Sequence, residues 1–149
     1  MTPDFKELLN IFNANGVRYL IVGAYAVMVY SEPRFTKDLD IWVDPSRENA
    51  GIVFDSLKAF GAPLKDLSAK DFSTSGFFQM GRPPVRIDVL MTVEGLEFES
   101  AWNNRRHGDF DGIPVSYIGK RDLILNKRTS GRPQDLLDVD ALEALGGDE

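Results

Sequence analysis

The sequence predicts an α/β (α+β) fold: a mixed β-sheet flanked by helices and ending in two C-terminal helices, as a single domain over residues 1–149. Three observations predict it. Short apolar runs of strand length alternate with stretches whose apolar residues recur at helical spacing. Glycine and proline fall at the ends of these segments, where a chain turns or a helix stops. The 149 residues hold no internal repeat, low-complexity tract or interdomain linker, which suits one core.

Asp4 is a candidate N-cap, followed by Phe5, Leu8, Leu9 and Phe12 at i, i+3, i+4, i+7, and Gly16 closes that first helix. Val17 to Val22 reads as a buried strand that runs through Gly23-Ala24 into a short helix around Ala26, Val27, Val29 and Tyr30. Pro33 stops that helix, because proline disfavours helical geometry in the residue before it. Asp38 to Val43 reads as the second strand, and Asp44-Pro45-Ser46 starts a helix with an apolar stripe of Ala50, Val53, Phe54 and Leu57, ended by Gly61. Residues 61–75 read as loop. Phe77 to Met80 and Val85 to Leu90 read as a hairpin through Gly81-Arg82-Pro83-Pro84. A short helix near Phe98 to Trp102, a strand at Ile113 to Ile118, and helices near Lys120 to Arg128 and Pro133 to Leu145 complete the order.

Composition narrows the chemistry. There is no cysteine, so disulfides, thiolate metal sites and cysteine nucleophiles are excluded. His107 is the only histidine, which leaves little for a Ser-His-Asp triad or a multi-histidine metal site. Aspartate and glutamate number 23, so oxygen-ligand metal chemistry is the kind this chain can perform. The net charge of −6 opposes bulk electrostatic binding of nucleic acid. A local basic face remains open where Lys120, Arg121, Lys127, Arg128 and Arg132 crowd one stretch. The first residues lack a basic region followed by an apolar run, and no apolar stretch is long enough to span a bilayer. The expectation is a cytoplasmic protein that does not engage a membrane.

Within Lys37-Asp38-Leu39-Asp40-Ile41, strand alternation puts the Asp38 and Asp40 side chains on one face and Leu39 and Ile41 on the other. Two adjacent carboxylates repel and need a compensating cation, and Mg²⁺ takes hard oxygen ligands. A solvated strand rim is the plain alternative for the pair taken alone. Asp88 lies in Val85-Arg86-Ile87-Asp88-Val89-Leu90, otherwise apolar enough for a core strand. If the two strands are neighbours, three carboxylates converge; the alternative for Asp88 is an ion pair with Arg86 or Arg82. Upstream, Gly23 and Ala24 open a helix whose free N–H groups and partial positive charge suit a phosphate.

Together, Val22-Gly23-Ala24, Asp38-Leu39-Asp40 and Ile87-Asp88-Val89 resemble the nucleotidyltransferase superfamily that includes DNA polymerase beta-like enzymes. That family's pattern is an apolar strand, Gly-Gly or Gly-Ser, a helix, Asp-x-Asp, and a third acid on a later strand. The segments Arg34-Phe35-Thr36-Lys37-Asp38-Leu39-Asp40 and Leu123 to Asp138 look most like the small prokaryotic AbiEii-type and minimal nucleotidyltransferases of toxin–antitoxin and phage-defence systems. The likeness runs from about Val17 to Leu142. It implies the nucleotidyltransferase fold and a nucleoside triphosphate substrate. It also implies two Mg²⁺ ions on Asp38, Asp40 and Asp88, with Asp88 helping to activate the attacking hydroxyl. Lys127 would contact the triphosphate, with an exposed helical lysine as its plain alternative, and Arg34 and Thr36 would position the phosphates or the aspartate strand. For Arg132, Asp135 and Asp138 a salt-bridged pair of terminal helices is as good a reading as a catalytic one. The family's second Gly or Ser is Ala24 here, so a phosphate-binding hydroxyl is missing.

Two functions follow. One is Mg²⁺-dependent transfer of a nucleoside monophosphate to a hydroxyl of a protein, an RNA such as tRNA, or a small molecule, within a toxin–antitoxin or phage-defence system. The other is a non-catalytic or weakly catalytic nucleotide-binding module that pairs with a cognate toxin or antitoxin. A drug-modifying enzyme shares the chemistry, but is expected to need more acceptor-binding surface than two terminal helices offer, unless a homodimer supplies it. Phe77 and Phe78 are read as core, and Trp42 and Trp102 as either core or stacking surfaces.

Overall fold

The computed structural model describes residues 2–81, 85–144. A six-stranded mixed sheet of order β3-β4-β2-β1-β6-β5 organises them. Its strands are β1 (Tyr19–Val22), β2 (Asp38–Val43), β3 (Phe77–Met80), β4 (Arg86–Leu90), β5 (Arg106–Phe110) and β6 (Ile113–Tyr117). The helices are α1 (Pro3–Ala14), α2 (Gly23–Tyr30), α3 (Arg47–Phe60), α4 (Phe98–Asn103), α5 (Lys120–Ser130) and α6 (Pro133–Ala144), with a 3₁₀ turn at Ala69–Ser73. No described helix is long and apolar enough to cross a membrane.

The central strands β1 and β2 run antiparallel, with Tyr19 opposite Val43 and Val22 opposite Asp40. Every residue of β1 is buried, and Leu39 and Ile41 of β2 face the core as strand alternation requires. β4 then lies parallel to β2, so the strand carrying Asp88 is the neighbour of the strand carrying Asp38 and Asp40. β3 pairs antiparallel with β4 as the hairpin reading expects; its connection falls at residues 82–84, outside the described residues. On the other side β6 is parallel to β1 and antiparallel to β5.

The apolar face of α1 is buried as its spacing predicts. Its N-cap, however, is Thr2, with Pro3 in the first turn, so Asp4 lies inside the helix; proline's fixed φ suits that opening position. Ser46 caps α3 by accepting from the Asn49 N–H, and Gly61 ends it in the left-handed conformation. Two elements go beyond the sequence expectation. The stretch read as loop contains the 3₁₀ turn, opened by Ser68 and Asp71, whose side chains and backbone N–H groups bond reciprocally, and anchored by buried Phe72. The edge strand β5 exposes all but Phe110, so it carries no apolar alternation to betray it.

Candidate functional site

β1, α2 and β2 build the first wall of the site. The chain leaves β1 at Val22 and enters α2 at Gly23, whose φ of +68° is open to glycine at little cost. A β-carbon at that position would lie 2.1 Å from Asp40 Oδ2. Gly23 is thus fixed twice, by its dihedral and by the carboxylate packed against it. Ala24 follows in the first turn of α2, and both residues line the same cleft as Asp38 and Asp40.

The strand register aligns the carboxylates. Asp40 sits directly opposite Asp88 on the parallel neighbour β4, and Asp38 opposite Arg86. Residues paired in register share a face, so Asp38, Asp40 and Asp88 project to one side of the sheet. Gln79 of β3, opposite Asp88, donates to Asp88 Oδ1 at 2.9 Å and accepts from Arg86 Nη1 at 3.3 Å. Asp88 is therefore reached by Arg86 through Gln79; Arg82, its other candidate partner, lies outside the described residues. Burial, then the charge and hydrogen bond of Asp88 and the charge of Asp38, push the Asp40 carboxyl up to about 7 against the opposing pull of Lys127. Among the described residues no three His, Cys, Asp or Glu side chains are gathered closely enough to hold a metal ion by themselves.

The opposite wall comes from α5, α6 and the loop before β2, around a cleft of about 800 Å³. Lys127, 8% exposed, sits in it between two carboxylates, 3.1 Å from Asp138 and 3.5 Å from Asp135. It is not the exposed helical lysine of the plain alternative. Arg34 ties the loop to α6 through Asp138, at 2.7 Å and 3.4 Å, and Arg132 bonds Asp135. Burial raises the carboxyl pKa values of Asp135 and Asp138, but hydrogen bonds from Arg132 to the first and from Arg34 and Lys127 to the second outweigh it, leaving both below the ordinary carboxylate range. Ion pairs thus engage all three of Arg132, Asp135 and Asp138, with Lys127 of α5 bonded to both aspartates of α6. Thr36 Oγ1 accepts from the Asp38 N–H at 3.3 Å, at the start of the aspartate strand.

The cleft gathers Gly23, Ala24, Arg34, Thr36, Asp38, Asp40 and Lys127, with Asp88 beside Asp40 on the neighbouring strand. One expectation is corrected. Phe77 is not core: it is 63% exposed and lines the cleft, because β3 is an edge strand and no described residue covers it there. Phe78 does pack inward, with its ring centroid 5.6 Å from that of Phe72. Of the basic C-terminal stretch, Arg121 is exposed, and the other four residues are buried or ion-paired. Lys120 and Lys127 are buried, Arg128 pairs with Glu143, and Arg132 pairs with Asp135. Trp42 is core, and the half-buried Trp102 is stacked by the Arg105 guanidinium at 3.9 Å and faced by that of Arg18 at 4.8 Å. Phe77 carried no local signal of its exposure, since that depends on which element lies alongside.

No protein-family model and no curated protein matches the sequence. Solved structures do match. ANT(2")-Ia, in complex with adenylyl-2"-tobramycin, is similar with a TM-score of 0.65 at 14% identity, over 96% of this chain and 87% of that one. The lincosamide antibiotic adenylyltransferase LnuA, lincomycin-bound, matches at 0.59 and 15% identity, over 97% and 98% of the two chains. A Thermotoga maritima protein provisionally named a nucleotidyltransferase matches at 0.61 and 13%, over 91% and 88%. At this level of identity the shared property is the fold, and the fold is that of nucleotidyltransferases.

Proposed function

We propose that this chain is a Mg²⁺-dependent nucleotidyltransferase, moving a nucleoside monophosphate from a nucleoside triphosphate to a hydroxyl. The acceptor oxygen bonds to the α-phosphorus, the bond from that phosphorus to the bridging oxygen breaks, pyrophosphate leaves, and the hydroxyl proton passes to a carboxylate. The observation that carries this reading is the register that sets Asp40 against both Asp88 and the Gly23 turn, at one wall of the cleft holding Lys127.

The chain's own residues divide the work. Asp38 and Asp40 would hold the metal, and Asp88, in register with Asp40, would complete the acidic group and take the hydroxyl proton. Mg²⁺ is usually bound by one or two carboxylates with water and substrate phosphates filling its shell, so the absence of a closed three-acid cage fits a site completed by substrate. When bound, it neutralises the charge that grows on the phosphates and orients them for in-line displacement. The N–H groups opening α2 face the phosphates, with Gly23 allowing their close approach. Lys127 contacts the triphosphate from the far wall, held in place by Asp135 and Asp138, and Arg34 and Thr36 fix the loop that leads into β2.

The acceptor is a protein side chain, an RNA such as tRNA, or a small molecule, in a cytoplasmic setting. An AbiEii-type toxin–antitoxin or phage-defence role, with a cognate partner, follows from the motif likeness. Size does not exclude an antibiotic-like acceptor, because the match with lincomycin-bound LnuA covers 97% of this chain and 98% of that one. The second reading, a nucleotide-binding partner with little turnover, is favoured by Ala24, which brings no hydroxyl to the turn, and by the carboxylates already occupying Lys127 and Arg34.

Incubation with each α-labelled triphosphate, Mg²⁺ and cell lysate tests transfer. Label incorporated by the native chain and lost in Asp38→Asn and Asp40→Asn is the expected result. Nucleotide binding without any carboxylate-dependent transfer would favour the second reading.

A further inference from the structure

We propose that Phe77 is the platform on which the nucleobase of the bound nucleotide stacks, an inference that rests on the nucleotide-binding reading above. Phe77 opens β3, and its register partner is Leu90, two residues beyond Asp88 on β4. Strand alternation puts Phe77, Gln79, Asp88 and Leu90 on one face of the sheet. Phe77 is therefore the diagonal neighbour of Asp88, a relation that spans about 7–8 Å between backbones.

Asp38, Asp40 and Lys127 line one part of the cleft, whereas Phe77, Leu90 and Val93 contribute apolar surface beside Thr92 and Glu94. Among the described residues no other aromatic ring or cation is paired with the Phe77 ring, so its face is open. Phe35 is more exposed, at 84%, but it does not line the cleft, and the Lys37 ammonium stands 5.5 Å from its ring. A single exposed apolar residue is ordinary on a protein surface. What distinguishes Phe77 is that it lines the same cleft as Asp38, Asp40 and Lys127. Stacking tolerates any base, because every base offers a π-face, so this platform supplies affinity without base selectivity.

The test is calorimetric titration of the chain with MgATP, MgGTP and magnesium tripolyphosphate. Phe77→Ala should weaken both nucleotides on the order of 10- to 100-fold and leave tripolyphosphate unchanged, while Phe77→Trp retains native affinity for all three. Equal affinity of native chain and Phe77→Ala for both nucleotides overturns the platform and leaves the nucleotide-binding reading intact. Equal weakening of tripolyphosphate also overturns it, because the ring would then be shaping the phosphate site. A native chain that binds none of the three overturns both inferences.

Discussion

Replacing Gly23 by alanine probes the contact that joins the helix turn to the carboxylates. The new methyl group would meet Asp40 Oδ2 at 2.1 Å and Asp40 Cβ at 3.0 Å, on a backbone whose φ of +68° already disfavours an L side chain. The dihedral alone costs about 1–2 kcal/mol. Displacing a half-buried carboxylate from its packed position adds a strain of about 1–3 kcal/mol. The sum, roughly 2–5 kcal/mol, corresponds to a fall in Tm of about 5–15 °C for a chain of this length. Gly61→Ala is the control: its φ is +96° but nothing lies within 4 Å of the added carbon, so it should show the dihedral cost alone. Thermal unfolding by circular dichroism should rank native, Gly61→Ala and Gly23→Ala in falling order. In an Asp40→Ala background, where only the contact with Cβ remains, Gly23→Ala should cost less, a coupling that a double-mutant cycle reads directly. Equal costs for the two glycine variants, or no coupling to Asp40, would refute the claim that Gly23 is held open for that carboxylate.

Other outcomes follow from the charge network. Asp40 titrates near 7 when folded against an ordinary carboxylate value when unfolded, so the folded chain keeps a proton that the unfolded chain loses. Stability without metal should therefore fall as pH rises from about 4 through 7, by up to ~4 kcal/mol; Asp40→Asn should flatten that slope in urea titrations. Asp138→Asn leaves Lys127 with one carboxylate and Arg34 with none, and should lower stability on the order of 3 kcal/mol by the same assay. Asp135 and Asp138 have depressed pKa values, so their contribution is present above the ordinary carboxylate range and lost as pH falls below about 4, visible as acid unfolding that is blunted in Asp138→Asn. Arg18→Ala removes ion pairs to buried Asp44 and exposed Glu99 and a cation–π contact with Trp102; Arg18 itself is partly exposed, so the cost should be only about 1–2 kcal/mol in thermal melts.

Most elements were legible in the sequence because their residues state their environment locally. Alternation in Asp38 to Ile41 and the apolar run ending at Val22 specify strands whatever lies beside them, and Gly23 marks the turn between strand and helix. The polar edge strand β5 was not legible, since an exposed strand paired on one side needs no buried alternation. The 3₁₀ turn at Ala69–Ser73 had a signal, Ser68 followed three residues later by Asp71, within a stretch otherwise poor in apolar spacing. The same division holds at the site. Asp38, Asp40 and Asp88 could be matched by pattern, but that Asp88 faces Asp40 in register is a fact of strand order. The burial of Lys127 between Asp135 and Asp138 depends on how α6 folds back on α5, and the exposure of Phe77 on β3 being an edge.

The central claim is that Asp38 and Asp40 hold a divalent cation together with a nucleotide. Titration of Mn²⁺, a paramagnetic substitute for Mg²⁺, followed by electron paramagnetic resonance in the presence of a non-hydrolysable nucleoside triphosphate, tests it most directly. The native chain should take Mn²⁺ out of the free-ion signal more strongly than nucleotide alone does, and Asp38→Asn and Asp40→Asn should abolish that excess. Mn²⁺ uptake that is undiminished in both variants, or absent from the native chain, would contradict it.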